Sequence, residues 1–202
     1  YSTSGAIGVT GILATAGTGT AVSMSGSAIY LGRDSTGNVK TGGNLTITGD
    51  SLSLSSSNLD TTGTLTLQPY SNSFSSAFSW SGMTLGSGIT GLTIGKATNT
   101  QDITIANDLS VAGPITIHAG SLSLSANVST TVNQTGNVNL YVASLAGSGG
   151  LSLASGSTLT LDQSGDSSYV GVISGASVNF TKQGAGSLTL TSPNTYGGST
   201  HL

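Results

Sequence analysis

A short apolar–polar–apolar triplet recurs along the chain and constrains its fold more than any other feature. In each copy, two aliphatic or aromatic residues flank one Ser, Thr or Asn. A period of two places the outer side chains on one face of a strand and the middle one on the other. Gly, Asn, Asp or Ser punctuates nearly every gap, which predicts strands of about three to five residues separated by turns. The twelve copies begin at Leu45, Leu52, Leu65, Leu92, Ile103, Ile115, Leu122, Val138, Leu151, Leu159, Val178 and Leu188.

Strands this short bury little surface alone, so they need a fold that stacks them. In a solenoid each coil contributes two or three short strands, and every strand pairs with the coils above and below. The triplet spacing sums to coils of about 20 to 27 residues, which is typical of repeat units. We therefore predict that residues 1–202 form a single all-β solenoid segment of about nine coils, on the order of 40 Å long. Predicted core positions include Leu65, Leu67, Ile103, Ile105, Leu188 and Leu190.

Two regions depart from the triplet rhythm. Residues 69–83 contain two of the three Phe and the only Trp. We expect Phe74, Phe78 and Trp80 to cover the core, because large aromatic side chains are usually buried; an exposed aromatic patch is the alternative. Residues 1–30 are rich in Gly, Ala and Thr with weak alternation, which predicts irregular or edge coils.

The composition excludes several classes of protein. Only 5% of residues are charged and the net charge is −3, which disfavours a nucleic-acid partner because that would require a basic surface. No apolar run approaches the roughly 18 residues of a membrane-spanning helix. The chain has no Cys, so neither disulfides nor thiolate chemistry is available. The apolar residues make up 36% of the chain and are regularly placed, which argues against disorder.

The stretch at 180–200, "FTKQGAGSLTLTSPNTYGGST", resembles the passenger-associated repeat of bacterial autotransporters. Ser192 and Pro193 depart from that pattern, as does Ser199, and the resemblance covers about a tenth of the chain. The physics of the segment agrees with a stacked coil: Gly184 and Gly186 permit a tight corner with positive φ, and Asn194 suits a turn. The matching residues are Phe180, Thr181, Lys182, Gly184, Gly186, Leu188, Leu190, Asn194, Thr195, Tyr196, Gly198 and Thr200.

A looser resemblance covers residues 65–124, which contain "GSGITGLTIGKATNTQDITI" and are similar to repeats of filamentous-haemagglutinin-like surface proteins. Both resemblances imply a right-handed parallel β-helix that is exported and displayed outside a bacterial cell. In autotransporters the repeat is associated with secretion and folding of the passenger, so the resemblance implies no catalytic role.

The few acidic residues favour turns over catalysis. Asp102 with Asp108, and Asp162 with Asp166, are the only close pairs, and both flank short strands in turn-like contexts. Glycoside hydrolysis would require two carboxylates about 5–10 Å apart. Arg33–Asp34 is most simply a solvated turn, and His118 and His201 are most simply surface residues. We therefore predict no catalytic, cofactor-binding or metal-binding residues and no cofactor.

The middle residues of several triplets form a possible functional array of outward threonines. Flat ranks of Thr on a solenoid resemble the surfaces of ice-binding proteins, but Thr is also the polar residue best suited to strands. Their irregular spacing in the sequence favours a role in solubility. The residues are Thr46, Thr66, Thr93, Thr104, Thr116, Thr160 and Thr189.

Together these features predict a non-enzymatic, extracellular structural protein of the bacterial surface: an adhesin, a stalk or a filament subunit. The alternatives are a carbohydrate-active enzyme on a β-helix and an ice-binding solenoid. Neither end of the sequence shows a capping helix, and open coil edges invite pairing. We therefore expect head-to-tail contact with another copy or with neighbouring coils of a longer chain, and a surface or glycan receptor as a further partner.

Overall fold

The computed structural model describes residues 2–9, 12–32 and 38–202, and these form strands and turns without a helix. Arg33 and Asp34 lie outside the described residues. Every strand pairing is parallel, and the chain winds into a β-solenoid of about eight turns. The all-β solenoid predicted from the triplets is therefore confirmed.

The strands are short and numerous. In chain order they are β1 (Ala6–Val9), β2 (Ile12–Thr18), β3 (Val22–Ser25), β4 (Ala28–Leu31), β5 (Asn38–Gly42), β6 (Leu45–Thr48), β7 (Ser51–Ser53), β8 (Asn58–Thr61), β9 (Thr64–Gln68), β10 (Phe78–Trp80), β11 (Thr84–Leu85), β12 (Gly91–Ile94) and β13 (Ile103–Ile105). They continue as β14 (Leu109–Val111), β15 (Ile115–Leu124), β16 (Val128–Thr130), β17 (Val138–Gly147), β18 (Leu151–Ser152), β19 (Thr158–Gln163), β20 (Ser167–Tyr169), β21 (Ile173–Gly175), β22 (Asn179–Gln183), β23 (Leu188–Leu190), β24 (Thr195–Tyr196) and β25 (Thr200–His201).

One sheet runs the length of the solenoid and sets the coil repeat. Its main path stacks nine strands in the order β25-β22-β19-β17-β15-β12-β9-β6-β3. Because nine strands are separated by eight steps, the solenoid has about eight turns and not the nine that were predicted. The register partners are 20 to 27 positions apart, as predicted: Val22, Leu45, Leu65, Leu92, Ile115, Val138, Leu159, Phe180 and Thr200.

Four smaller sheets complete the coils. The sheets β1-β4-β7 and β11-β8-β5-β2 belong to the first part of the chain, whereas β14-β16-β18-β21-β24 and β20-β23 belong to the second. The described part of residues 1–30 forms β1 to β4, and the first three of these strands occupy the edges of their sheets.

Four strands of the described part exceed the predicted three to five residues: β2 has seven, β19 has six, and β15 and β17 are longer still. β15 and β17 each contain ten residues and stay in register on both sides of Gly120. The expected limit of about five residues was wrong for these two strands because β15 joins the Ile115 and Leu122 triplets, and β17 pairs with it well beyond its own Val138 triplet. Small residues at this point, Ala119 and Ala143, allow the paired strands to continue without a separating turn.

The core consists of apolar ranks that point inward from successive coils. Leu65, Leu67, Ile103 and Ile105 are fully buried, as predicted. Leu188 and Leu190 pack against the core, as predicted, but they are only partly buried. Their strand, β23, pairs with β20 on one side, and no strand among the described residues covers its other side.

The aromatic segment closes the longest coil. The rings of Phe74 and Phe78 stack with centroids 5.6 Å apart, and both side chains are buried, as is that of Trp80. The predicted burial of these aromatic residues is therefore confirmed. β10 carries Phe78 and Trp80 onto β13, so the extra length of this coil adds to the core.

Tyr169 supplies a second buried ring near the far end. Its hydroxyl donates a hydrogen bond to the carbonyl oxygen of Gly149 in the preceding coil. Burial raises the pKa of this phenol well above its usual value because the charged form would lose its hydration. The hydroxyl therefore serves as a neutral donor that links two coils.

Candidate functional site

A shallow groove of about 410 Å³ lies on the outer surface where β15, β17 and β19 run side by side. Its volume falls within the range of small-molecule sites. We call it the His118 groove. It is lined by Ala97, Asn99, Thr100, His118, Ala119, Gly120, Tyr141, Val142, Ala143, Asp162 and Ser164.

Three polar side chains from successive coils form one wall of the groove. His118 pairs with Tyr141, and Tyr141 pairs with Asp162, in the parallel register of β15, β17 and β19. The imidazole and phenol rings are stacked, with centroids 4.7 Å apart and planes inclined by 12°. The ring separation matches the spacing of neighbouring strands, so the backbone ladder itself holds the two rings together.

The opposite wall is a turn fixed by Asn99. This side chain is buried, and its amide nitrogen donates to the carbonyl oxygens of Gln101 at 3.1 Å and His118 at 2.8 Å. Its amide oxygen accepts from the Ser73 hydroxyl and from the backbone N–H of Phe74. Because Asn99 binds both the turn and the His118 strand, it fixes the two walls relative to each other.

The floor is built from small residues. Ala119, Gly120 and Ala143 leave room above the sheet. A Cβ on Gly120 would lie 2.4 Å from the carbonyl oxygen of Thr100, so a larger residue there would push the Asn99 turn outward. The depression therefore follows from the small side chains of β15 and β17 at this point.

Asp162 differs from the other described acids because it has no hydrogen bond or ion pair with any described residue. Asp50, Asp102, Asp108 and Asp166 each accept a backbone N–H from another coil, and Asp60 pairs with Lys40 at 2.8 Å. The Asp162 carboxylate thus lines the groove with its acceptor capacity unused.

The groove carries little positive charge. Partial burial lowers the pKa of His118, because desolvation disfavours the imidazolium form. No Lys or Arg lines the groove within the described residues. At neutral pH its wall therefore presents a neutral imidazole, a phenol and one carboxylate.

The turn-capping interpretation of the acids is confirmed for three of the four paired residues. Asp102, Asp108 and Asp166 accept N–H groups of Ser121, Asn127 and Ser187 at 2.7, 2.9 and 2.8 Å. The bonds from Ser187 also lower the pKa of Asp166 because they favour its charged form. Asp162 does not cap a turn; it lines the His118 groove.

The outward threonines are arranged more regularly than their spacing in the sequence indicates. Five of the seven predicted residues share one rank on the long sheet, whereas Thr104 and Thr189 lie on β13 and β23. Thr181 belongs to the same rank, although it is not the middle residue of a predicted triplet. This threonine rank consists of Ser23, Thr46, Thr66, Thr93, Thr116, Asn139, Thr160, Thr181 and His201.

The described part of the chain lacks two further features. No group of three or more His, Cys, Asp or Glu side chains there could hold a metal ion, and no helix there is long and apolar enough to cross a bilayer.

The comparisons with known proteins identify no relative. No protein-family model, curated protein or solved structure matches the chain. What is established is a parallel β-solenoid of about eight turns.

Proposed function

We propose that the chain is a structural segment of an extracellular bacterial surface protein: an adhesin, a stalk or a filament subunit. The observation that carries the proposal is the unbroken stack of nine in-register strands along one sheet. Each coil is held by its neighbours through backbone hydrogen bonds and apolar ranks, which makes an elongated and stiff body. Such a body holds binding surfaces away from the cell without needing a catalytic group.

The geometry of residues 180–200 supports the autotransporter resemblance. Gly184 has φ +78°, as expected for a tight corner. Gly186 does not have positive φ; a Cβ there would lie 2.1 Å from the carbonyl oxygen of Gly165, so this glycine permits close stacking of coils. Asn194 accepts the N–H of Ile173 at 2.8 Å. These motif residues connect one coil to the next, which fits a role in folding of the rod.

The coil that contains β23 supports the proposal of further stacking. Phe180, Leu188, Leu190 and Tyr196 line an open and largely apolar groove of about 410 Å³ at this coil. A further coil laid on it would bury these side chains and pair the free edge of β23. We propose that this coil comes either from a second copy, head to tail, or from the same polypeptide.

Surface display is tested on cells that produce the protein. Antibodies raised against purified residues 38–202 are expected to label intact cells by immunogold electron microscopy, with label standing off the outer membrane. Antibodies preabsorbed with the purified protein serve as the control. Labelling that appears only after the cells are permeabilised would contradict the proposal.

A second candidate function, ice binding, is favoured by the threonine rank. Six Thr occupy equivalent outward positions on one sheet, about 4.8 Å apart along the axis. Each presents a methyl and a hydroxyl group at a regular interval, which is the arrangement needed to order water on a repeating surface. Asn139 interrupts the rank between Thr116 and Thr160.

Ice binding predicts a measurable loss when the rank is interrupted. The protein should produce thermal hysteresis, and Thr66→Lys with Thr93→Lys should remove most of it because two bulky side chains break the central steps. Ser129→Lys, outward on β16 of another sheet, is the matched control. Absence of hysteresis in the unmodified protein would reject this candidate and leave the structural role untouched.

A further inference from the structure

We infer that the His118 groove binds uncharged carbohydrate. Sugar binding rests on the proposed surface function, for which it names the class of ligand. Sugar binding is measured on the purified chain, so its result is independent of the test of surface display.

The groove gathers polar groups that the fold does not use. Asp162 has no partner in the described protein, and neither the ring nitrogens of His118 nor the hydroxyl of Tyr141 has a hydrogen bond there. The other described acids are all engaged with backbone or Lys40. A few unsatisfied polar groups that converge on a depression are characteristic of ligand sites.

The chemistry of those groups matches the hydroxyls and C–H faces of a sugar. A sugar hydroxyl can donate to the Asp162 carboxylate and accept from the Tyr141 hydroxyl or an imidazole N–H. The C–H faces of a sugar ring can rest on the apolar atoms of Ala119, Val142 and Ala143, which line the same groove. Polyhydroxylated rings with both kinds of surface therefore match the wall and the floor together.

The charge of the groove disfavours anionic glycans as ligands. Asp162 is the single formal charge among the described lining residues, so uronic acids and sulfated sugars would meet repulsion without a compensating cation. The single carboxylate also leaves glycoside hydrolysis without its second acid group in this groove. The geometry therefore fits recognition without cleavage.

The shape and rigidity of the groove suit a short oligosaccharide. The wall spans three successive coils, roughly 10 Å along the axis, which suits a short oligosaccharide lying parallel to the rod. Both walls are fixed before binding: the rings stack at 4.7 Å and the Asn99 side chain is fully hydrogen-bonded. A preorganised site loses less entropy on binding.

The test is titration of the purified 202-residue chain with neutral hexose di- and tetrasaccharides, followed by NMR and calorimetry. At least one neutral sugar is expected to bind saturably, with shifts at the amides of residues 118–120 and 141–143. Tyr141→Ala and Asp162→Asn should each weaken that binding at least about tenfold, because each removes a direct contact. Uronate or sulfated oligosaccharides should bind more weakly than their neutral counterparts.

Matched variants distinguish binding in the His118 groove from non-specific binding to the surface. Tyr70→Ala removes a phenol that is 48% exposed outside the groove, compared with 40% for Tyr141, and should leave binding unchanged. Asp60→Asn removes a partly buried carboxylate elsewhere, one that pairs with Lys40, and should also leave sugar binding unchanged. Thermal melting of all four variants confirms that they are folded. If no neutral sugar binds at about 10 mM, or if Tyr141→Ala and Tyr70→Ala behave alike, the inference is wrong.

Discussion

Replacing Ile94 by Asp is expected to lower the free energy of unfolding by about 4–5 kcal/mol, because it places an unpaired charge in the core. Ile94 is fully buried and lies between Leu67 and Ile117 in one inward rank. Since domains are typically stable by about 5–15 kcal/mol, this single change should leave the solenoid unfolded or close to unfolding at room temperature. Urea denaturation followed by far-UV circular dichroism measures the effect.

Leu188→Asp is the matched comparison, because Leu188 occupies an equivalent inward position on β23 but is only partly buried. Water can hydrate a carboxylate there, so we expect a smaller loss, with fraying limited to the coil of β23. Ile94→Val should lower the free energy of unfolding by only about 1 kcal/mol, and it is the control for changing this residue without adding a charge. Equal destabilisation by the two Asp variants would contradict the burial difference.

Gly149→Ala is expected to destabilise the protein by about 3 kcal/mol through overpacking. A Cβ on Gly149 would lie 1.9 Å from the carbonyl oxygen of Ala126 in the coil below. The backbone cannot move away cheaply, because its N–H donates to Leu124 at 2.8 Å and its carbonyl accepts the Tyr169 hydroxyl. The substitution therefore forces two coils apart.

Gly8→Ala provides the control, because a Cβ at that position in β1 would meet nothing within 4 Å. Its stability should stay within about 0.5 kcal/mol of the parent. Chemical denaturation of the two variants in parallel measures the difference. If Gly149→Ala is as stable as Gly8→Ala, the close approach of the coils at Gly149 is not a constraint.

The architecture could be predicted from the sequence because the triplets show both the strands and their inward faces. The alternation around Leu65 and Ile103 identifies inward positions, and the distances between triplets give the coil length. The sequence could not give the exposure of Leu188, because that depends on which strand covers β23. The sequence also could not decide whether residues 115–124 form one long strand or two short ones, because Gly120 is compatible with a turn and with a continuous strand.

The groove and the threonine rank were less accessible from the sequence because both depend on register between coils. His118, Tyr141 and Asp162 are 23 and 21 positions apart along the chain, and no local motif connects them. Asn99 likewise looks like an ordinary turn residue until its bond to the His118 carbonyl is seen. The alignment of Thr46 to Thr181 is not visible in the sequence because the loops differ in length. Coils of different length nevertheless place their strands in register.

Parallel pairing between successive coils directs the backbone hydrogen bonds along the rod axis, and this determines how the molecule responds to tension. A pull applied to the two ends loads the outermost coil first, where only a few bonds resist, and the coils behind it stay intact. Each coil that peels away releases 20 to 27 residues, about 65–95 Å of extended chain, in exchange for about 4.8 Å of folded length. A tether built this way yields stepwise under drag, each coil lengthening roughly 14- to 20-fold, and can rewind when the load falls.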